Sequence, residues 1–152
     1  MKQELNYATI LYKVLDIAIK DRMINFAGQG DVYEINSMNI DEYPIFWVSA
    51  TQPMIEYDNR IDYVLTLYYI DREKFMNDNE GDTDQPLIHS NGIKSLSNII
   101  NKIKYEFGAD LLNEITPVNY TLWGDTEIFS DKTSGVYCNI TLSLPKSGNC
   151  IY

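Results

Sequence analysis

The stretch Ile61-Asp62-Tyr63-Val64-Leu65-Thr66-Leu67-Tyr68-Tyr69-Ile70 decides the fold class. Tyr63, Leu65, Leu67 and Tyr69 fall on one side of an extended chain, and Asp62, Val64, Thr66 and Tyr68 on the other, which is the period of two that a β-strand imposes. Val136 to Leu144 repeats the pattern. There Val136, Cys138, Ile140, Leu142 and Leu144 face in, Tyr137, Asn139, Thr141 and Ser143 face out, and Pro145 ends the run. Pro44 opens a third run, Ile45-Phe46-Trp47-Val48-Ser49-Ala50, apolar on both faces as a central strand covered on two sides should be. Pro53 closes it, because proline has no amide hydrogen to give to a sheet ladder. Val32 to Ile35 and Val118 to Trp123 read as shorter strands.

Two segments carry a helical period instead. From Glu4 to about Ile24, the residues Leu5, Ala8, Leu11, Val14, Leu15, Ala18 and Ile19 recur at steps of three and four, the stripe of an amphipathic helix. The glycines of Phe26-Ala27-Gly28-Gln29-Gly30 read as the loose turn that stops it. Ser90-Asn91-Gly92 reads as the start of a second helix, with a polar side chain to cap free amides. Its buried stripe is Ile93, Leu96, Ile100, Ile103 and Phe107, and Gly108 closes it. The order is helix, three strands, helix, two strands, with no strict βαβ alternation. That order predicts an α+β fold: one largely antiparallel or mixed β-sheet of about 4–5 strands, with two main helices packed on one face. No repeat or linker interrupts residues 1–152, which read as a single domain with an acidic loop at 71–84.

A chain of 152 residues is long enough to bury a core without a metal or disulfide. Its 45% hydrophobic and 22% charged content is that of a soluble globular protein. Twelve Lys and Arg against 22 Asp and Glu give a net charge of −10, so a broad basic face for gripping nucleic acid is excluded. The charge is unevenly spread. Residues 1–24 sum to +1 and 85–106 to +2, whereas 31–62 sum to −6, 71–84 to −4 and 107–152 to −3. The acidity belongs to the strands and their connections, so the sheet face away from the helices is expected to be an acidic surface. The N-terminus has no signal-peptide core, and no apolar run suits a membrane helix. Two isolated cysteines suggest a reducing compartment, and the expectation is a soluble, intracellular protein.

Few residues offer chemistry. One histidine and two cysteines outside any CxxC spacing cannot build a structural zinc site. The run Asp78-Asn79-Glu80-Gly81-Asp82-Thr83-Asp84 places carboxylates at alternate positions. Counted as a calcium loop from Asp78, however, Gly81 falls at the fourth place and His89 at the twelfth, where that loop needs glycine sixth and a bidentate acid last. Mutual repulsion holding an extended, solvated loop is the simpler account. His89 has no nucleophile oriented beside it and reads as a surface or interface histidine. Cys138 alternates with core residues, and Cys150 is incidental in a tail. Asn119-Tyr120-Thr121 and Asn139-Ile140-Thr141 match the glycosylation pattern by chance, being inside strands. No catalytic residue, cofactor or metal is assigned, and the expectation is a protein that is not an enzyme. Tyr63, Tyr69 and Tyr120 read as buried. Tyr33, Tyr43, Tyr57, Tyr68, Tyr137 and Tyr152 exceed what one small core can hold, and exposed aromatics are what protein interfaces use as anchors.

The segments follow one another in a telling order. An N-terminal helix precedes the Tyr-Pro-apolar strand Tyr43-Pro44-Ile45-Phe46-Trp47-Val48 and an acid-bearing loop. A long strand from Tyr63 to Asp71 follows, then a Ser-Asn-started helix and a late strand. This order resembles that of the tail-terminator and tail-completion proteins of tailed bacteriophages, including the ring proteins of the head–tail junction. The closing stretch SDKTSGVYCNITLSLPKSGNC, Ser130 to Cys150, is most similar to such proteins from phages of gut Bacteroidetes, including crAss-like phages. The abundance of Ile, Asn and Tyr over Ala suits AT-rich coding DNA of that kind.

The resemblance implies a virion protein of the tail or neck, assembled in the host cytoplasm. It would form a homomeric ring of about six or about twelve subunits against portal, adaptor or tail-tube proteins, and DNA would pass through without specific binding. Acidic walls would keep phosphates from sticking. On that footing the expected interface residues are Tyr57, Phe75, Met76, Asp78, Glu80, Asp82, Asp84, Trp123, Tyr137 and Tyr152. Two other readings stand beside it. A soluble adaptor binding one protein partner shares every feature except ring closure. A small hydrolase would use carboxylates such as Asp62 and Asp71.

Overall fold

A computed structural model describes residues 6–37, 42–50, 54–76, 79–107, 118–124 and 132–145. The two strongest strand patterns form its centre. β4 (Arg60–Arg72) and β8 (Thr133–Pro145) pair antiparallel along their whole length, from Arg60 opposite Pro145 to Arg72 opposite Thr133. β2 (Ile45–Ser49) flanks β4 antiparallel, and β1 (Phe26–Gln29) lies parallel to β2 at one edge. β3 (Ile55–Glu56) pairs with the start of β4, and β7 (Thr121–Gly124) pairs with β8 at the other edge. The result is a mixed six-stranded sheet ordered β1-β2-β4-β8-β7, with β3 beside β4.

α1 (Tyr7–Ile19) and α3 (Gln85–Phe107) pack on one face of that sheet. The α+β class with two main helices is as expected from the sequence, but the sheet has six strands rather than 4–5. The residues of β1 read as a glycine turn because a four-residue strand has no period to detect. What makes them a strand is the parallel partner: Phe26 lies opposite Ile45 and Gln29 opposite Val48, and the Trp47 ring rests on Gly28 where any side chain would collide with it.

Other boundaries differ for local reasons. Val32 to Ile35 is not a strand. Asp31 Oδ1 accepts the Tyr33 amide at 3.0 Å and the Asp31 carbonyl accepts the Glu34 amide at 3.0 Å, which starts a single helical turn, α2 (Glu34–Ser37). α1 stops at Ile19, short of Ile24, and its first turn is capped by Asn6 Oδ1 accepting the Thr9 amide at 2.9 Å. α3 begins at Gln85 rather than Ser90. Pro86 suits a first turn, where its missing amide hydrogen costs nothing. Gly92, which looked like part of a cap, lies inside the helix where it crosses Tyr69 and Val136, and a Cβ there would press on both side chains. Residues 71–84 are not an extended loop. Asp71 and Arg72 finish β4, and β5 (Phe75–Met76) and β6 (Asn79–Thr83) form a small separate hairpin. The expected boundary residues Pro53 and Gly108, together with Glu4 and Leu5, lie outside the described residues.

The main core fills the space between helices and sheet. Ile10, Val14 and Ala18 of α1 and Leu96, Ile99 and Ile103 of α3 meet Leu65, Leu67, Tyr69, Val136, Cys138 and Leu142. One polar link crosses it: Ser95 Oγ donates to Asp21 Oδ1 at 3.2 Å, and the Met23 amide donates to the same oxygen at 3.0 Å. On the opposite face a second cluster holds Ile35, Ile45, Trp47 and Ile70, with Phe26, Val32, Tyr43, Tyr68 and Trp123 packed around it. β2 is therefore buried at every position, as its two-sided apolar sequence required.

Gly135 tests this architecture. A Cβ there would meet the Tyr69 backbone carbonyl of β4 and the Trp123 ring, and backbone cannot yield as a side-chain end can. Gly135→Ala is expected to destabilise the chain by about 2–3 kcal/mol, read as a lowered urea midpoint at unchanged slope.

Candidate interaction surfaces

α1 and α3 leave a groove between them on their outer side, with a cavity volume of about 740 Å³. Its walls carry Tyr12, Lys13, Asp16 and Lys20 from α1 and Lys102, Tyr105 and Glu106 from α3. The helical period puts most of these residues away from the core stripe, with Lys13 half-buried at its margin. Tyr12 is 68% exposed and Tyr105 87% exposed. Lys20 is held by Asp16 across one helical turn at 2.9 Å, and the Lys13 ammonium lies 5.6 Å from the centre of the Phe107 ring. The groove thus presents three cations, two anions and two tyrosines on a chain whose net charge is −10. The sequence pattern did not single out Tyr12 and Tyr105. Their signal was faint: tyrosines at polar positions of helices whose apolar stripe already lay elsewhere.

A second surface lies where β4, the hairpin, α3 and β8 meet. Asp84 ties the hairpin base, its Oδ1 accepting the Lys74 amide at 2.6 Å while its own amide donates to the Lys74 carbonyl at 3.0 Å. Its carbonyl accepts the Ile88 amide, which links the hairpin to the first turn of α3. The Glu73 side chain is almost wholly buried. It accepts Gln85 Nε2 at 2.9 Å and lies 3.6 Å from Lys132 Nζ. Burial holds the Asp71 carboxyl above its ordinary value, a trend that Asp84 reinforces and that the Arg72 amide opposes.

The sequence-predicted interface residues are scattered over these surfaces. Tyr57 is exposed at the turn into β4, with the Arg60 guanidinium 4.3 Å from its ring centre. Phe75 and Met76 lie on β5 and Glu80 and Asp82 on β6, with Asp84 at the base of the hairpin. Trp123 is half-buried over Gly135 and packs on the second cluster. Tyr137 is half-buried, its ring 5.6 Å from that of Tyr68, on the sheet face away from the helices. Asp78, Cys150 and Tyr152 lie outside the described residues. Tyr63 and Tyr69 are buried as expected, and Tyr120 is half-buried. The face away from the helices is not acidic throughout: its β1–β2 end is the apolar second cluster, while Asp31 and Glu34 lie at the start of α2 and Glu56 and Asp58 on β3 and the turn after it.

His89 and Cys138 both have structural surroundings. His89 Nε2 donates to the Trp123 carbonyl at 2.7 Å, which straps α3 to the edge strand β7. Burial pushes the Cys138 thiol up to about 12, which suppresses the thiolate a nucleophile requires. Asp62 and Asp71 are nine positions apart on β4, roughly 30 Å, and on opposite faces, so they cannot act as a carboxylate pair. Among the described residues, no group of three or more His, Cys, Asp or Glu is placed to hold a metal ion. No helix among them is long and apolar enough to cross a membrane. No family model and no curated protein matches the chain.

The Asp71 environment generates a pH prediction. A carboxyl whose folded-state value is raised loses stability when it ionises, that is, as pH rises through its ordinary value of 3.8 and beyond. Asp71→Asn is therefore expected to be more stable than wild type at neutral pH. That advantage should vanish in acid below the ordinary carboxylate value, as read from urea midpoints at several pH values.

Proposed function

We propose that this chain is a structural virion protein of a tailed bacteriophage. Its copies would form a homomeric ring at the head–tail junction or the end of the tail tube, completing assembly and surrounding the path of the DNA. The observation that carries the reading is the separation of two complementary surfaces. A lysine-bearing groove flanked by exposed tyrosines lies on the helices, and the acidic segments lie in the connections of the sheet. A subunit with unlike surfaces in two places associates head to tail, and such contacts close into a ring when the rotation per subunit divides a full turn. The order of segments, which resembles tail-terminator and tail-completion proteins, supplies the biological setting. Acidic connections facing the channel would repel passing phosphates at short range. The mechanism is mechanical, with no chemical step.

Electron cryo-microscopy of intact virions or purified head–tail junctions tests the proposal. A closed ring of this chain in the neck or at the tail end is the expected result, and virions lacking the chain would overturn it. A chain that sediments as one subunit bound to one partner would instead make it a soluble adaptor. The hairpin offers a second test. Lys74 and Asp84 are already hydrogen-bonded to each other, so residues 75–83 can be replaced by two glycines without disturbing the six-stranded sheet. This variant is expected to keep its thermal midpoint within a few degrees and to leave heads and tails unjoined. Normal infectivity would remove the hairpin from the assembly role.

A further inference from the structure

We propose that the α1/α3 groove is the socket for the acidic β5–β6 hairpin of a second copy of this chain. The inference rests on the ring reading only in assuming that the chain associates with itself. It goes further in naming the two surfaces that meet.

Charge complementarity is the first argument. The groove wall carries Lys13, Lys20 and Lys102 against Asp16 and Glu106, a positive site on a strongly negative molecule. Lys20 is occupied by Asp16, and Lys102 has no ion-pair partner among the described residues. The segment that contains the hairpin, residues 71–84, sums to −4. Docking one onto the other replaces like-charge repulsion between two acidic chains with attraction at one defined place. Tyr12 and Tyr105 supply the amphipathic rims that interfaces favour, each with an apolar ring and a polar tip. A volume of about 740 Å³ has room for the side chains of a narrow hairpin.

Geometry then decides that the two surfaces belong to different copies. The hairpin leads directly into the first turn of α3, whereas Lys102 and Tyr105 lie in its last two turns. At about 1.5 Å per residue the separation along the helix is roughly 25–30 Å. The longer hairpin strand, five residues, reaches only about 17 Å. A hairpin cannot fill its own groove. Each copy therefore offers one plug and one socket at opposite ends of a rigid helix, which makes the contact heterologous and able to propagate.

Two charge-reversed chains test this. One carries Lys13→Glu and Lys102→Glu in the groove. The other carries Glu80→Lys and Asp82→Lys in the hairpin. Circular dichroism and thermal midpoints establish that both fold, and sedimentation velocity at low salt reads association. Wild type is expected to form oligomers that weaken as salt is raised. Each variant alone is expected to associate roughly ten- to a hundredfold more weakly.

Mixing the two variants leaves one native socket and one reversed plug on the hairpin-reversed chain, and the converse on the other. Native plug then meets native socket and the reversed basic plug meets the reversed acidic socket, so the mixture is expected to regain oligomers in which the two variants alternate. Wild-type oligomers that both variants retain at full strength would overturn the plug-and-socket assignment while leaving the ring reading intact. Wild type that stays monomeric at low salt and high concentration would overturn the assignment, and virion imaging would then judge the ring by itself. Variants that both lose association and fail to regain it on mixing would also overturn it.

Discussion

The thirteen-residue ladder between β4 and β8 is the constraint on which the rest of the structure depends. Its register places Leu65 beside Ile140, Leu67 beside Cys138 and Tyr69 beside Val136, so one continuous apolar surface is ready for helices to cover. A slip of one residue would turn Asp62, Thr66, Asn139 and Thr141 into the core, a loss no other contact here could offset. The ladder joins segments about seventy residues apart, so it is also the contact that closes the largest loop of chain. Every other strand is short and borrows its order from it. β2 attaches to β4, β1 to β2, and β7 to β8.

The helices then divide the molecule's labour between its surfaces. Their inner stripes complete the core, and their outer positions carry lysines and tyrosines. Glycines set how closely the layers approach. Gly92 lets α3 touch Tyr69 and Val136, and Gly135 lets the ladder pass beneath Trp123. Two buried polar links tie elements together, Asp21 to Ser95 and Glu73 to Gln85. His89 belongs to this set, since its hydrogen bond to the Trp123 carbonyl fastens a four-residue edge strand that has one sheet neighbour. A lone histidine in a cleft-poor sequence invites a functional explanation, yet here its imidazole acts as a strut.

Legibility followed the length of each period. The two long strands and two long helices repeat their pattern often enough to be found, but the helical stripes shift at their margins: Ala8, Ile19 and Ile93 are exposed, whereas Ile10, Ile17, Ile88 and Ile99 are buried. β1 and β3 do not, because two to four residues define no period and become strands only by pairing with β2 and β4. The Asp31 turn displaced an expected strand because one local hydrogen bond outweighs the weak β preference of Val32 and Tyr33. The interface residues were chosen by exposure inferred from an excess of tyrosine. Trp123, Tyr137 and Tyr68 proved half-buried because the sheet's second face has its own apolar cluster, while Tyr12 and Tyr105 stand free on the helices.

The sequence by itself determined the α+β class, the faces of the two long strands and the split between basic helical segments and acidic connections. These depend only on alternation and on charge counted along the chain. Tertiary structure alone decided that β5 and β6 pair in the acidic segment, that a groove opens between α1 and α3, and that the two lie at opposite ends of α3. Those relations depend on distances between residues remote in sequence. Such distances are fixed by packing against the sheet, which no local pattern records.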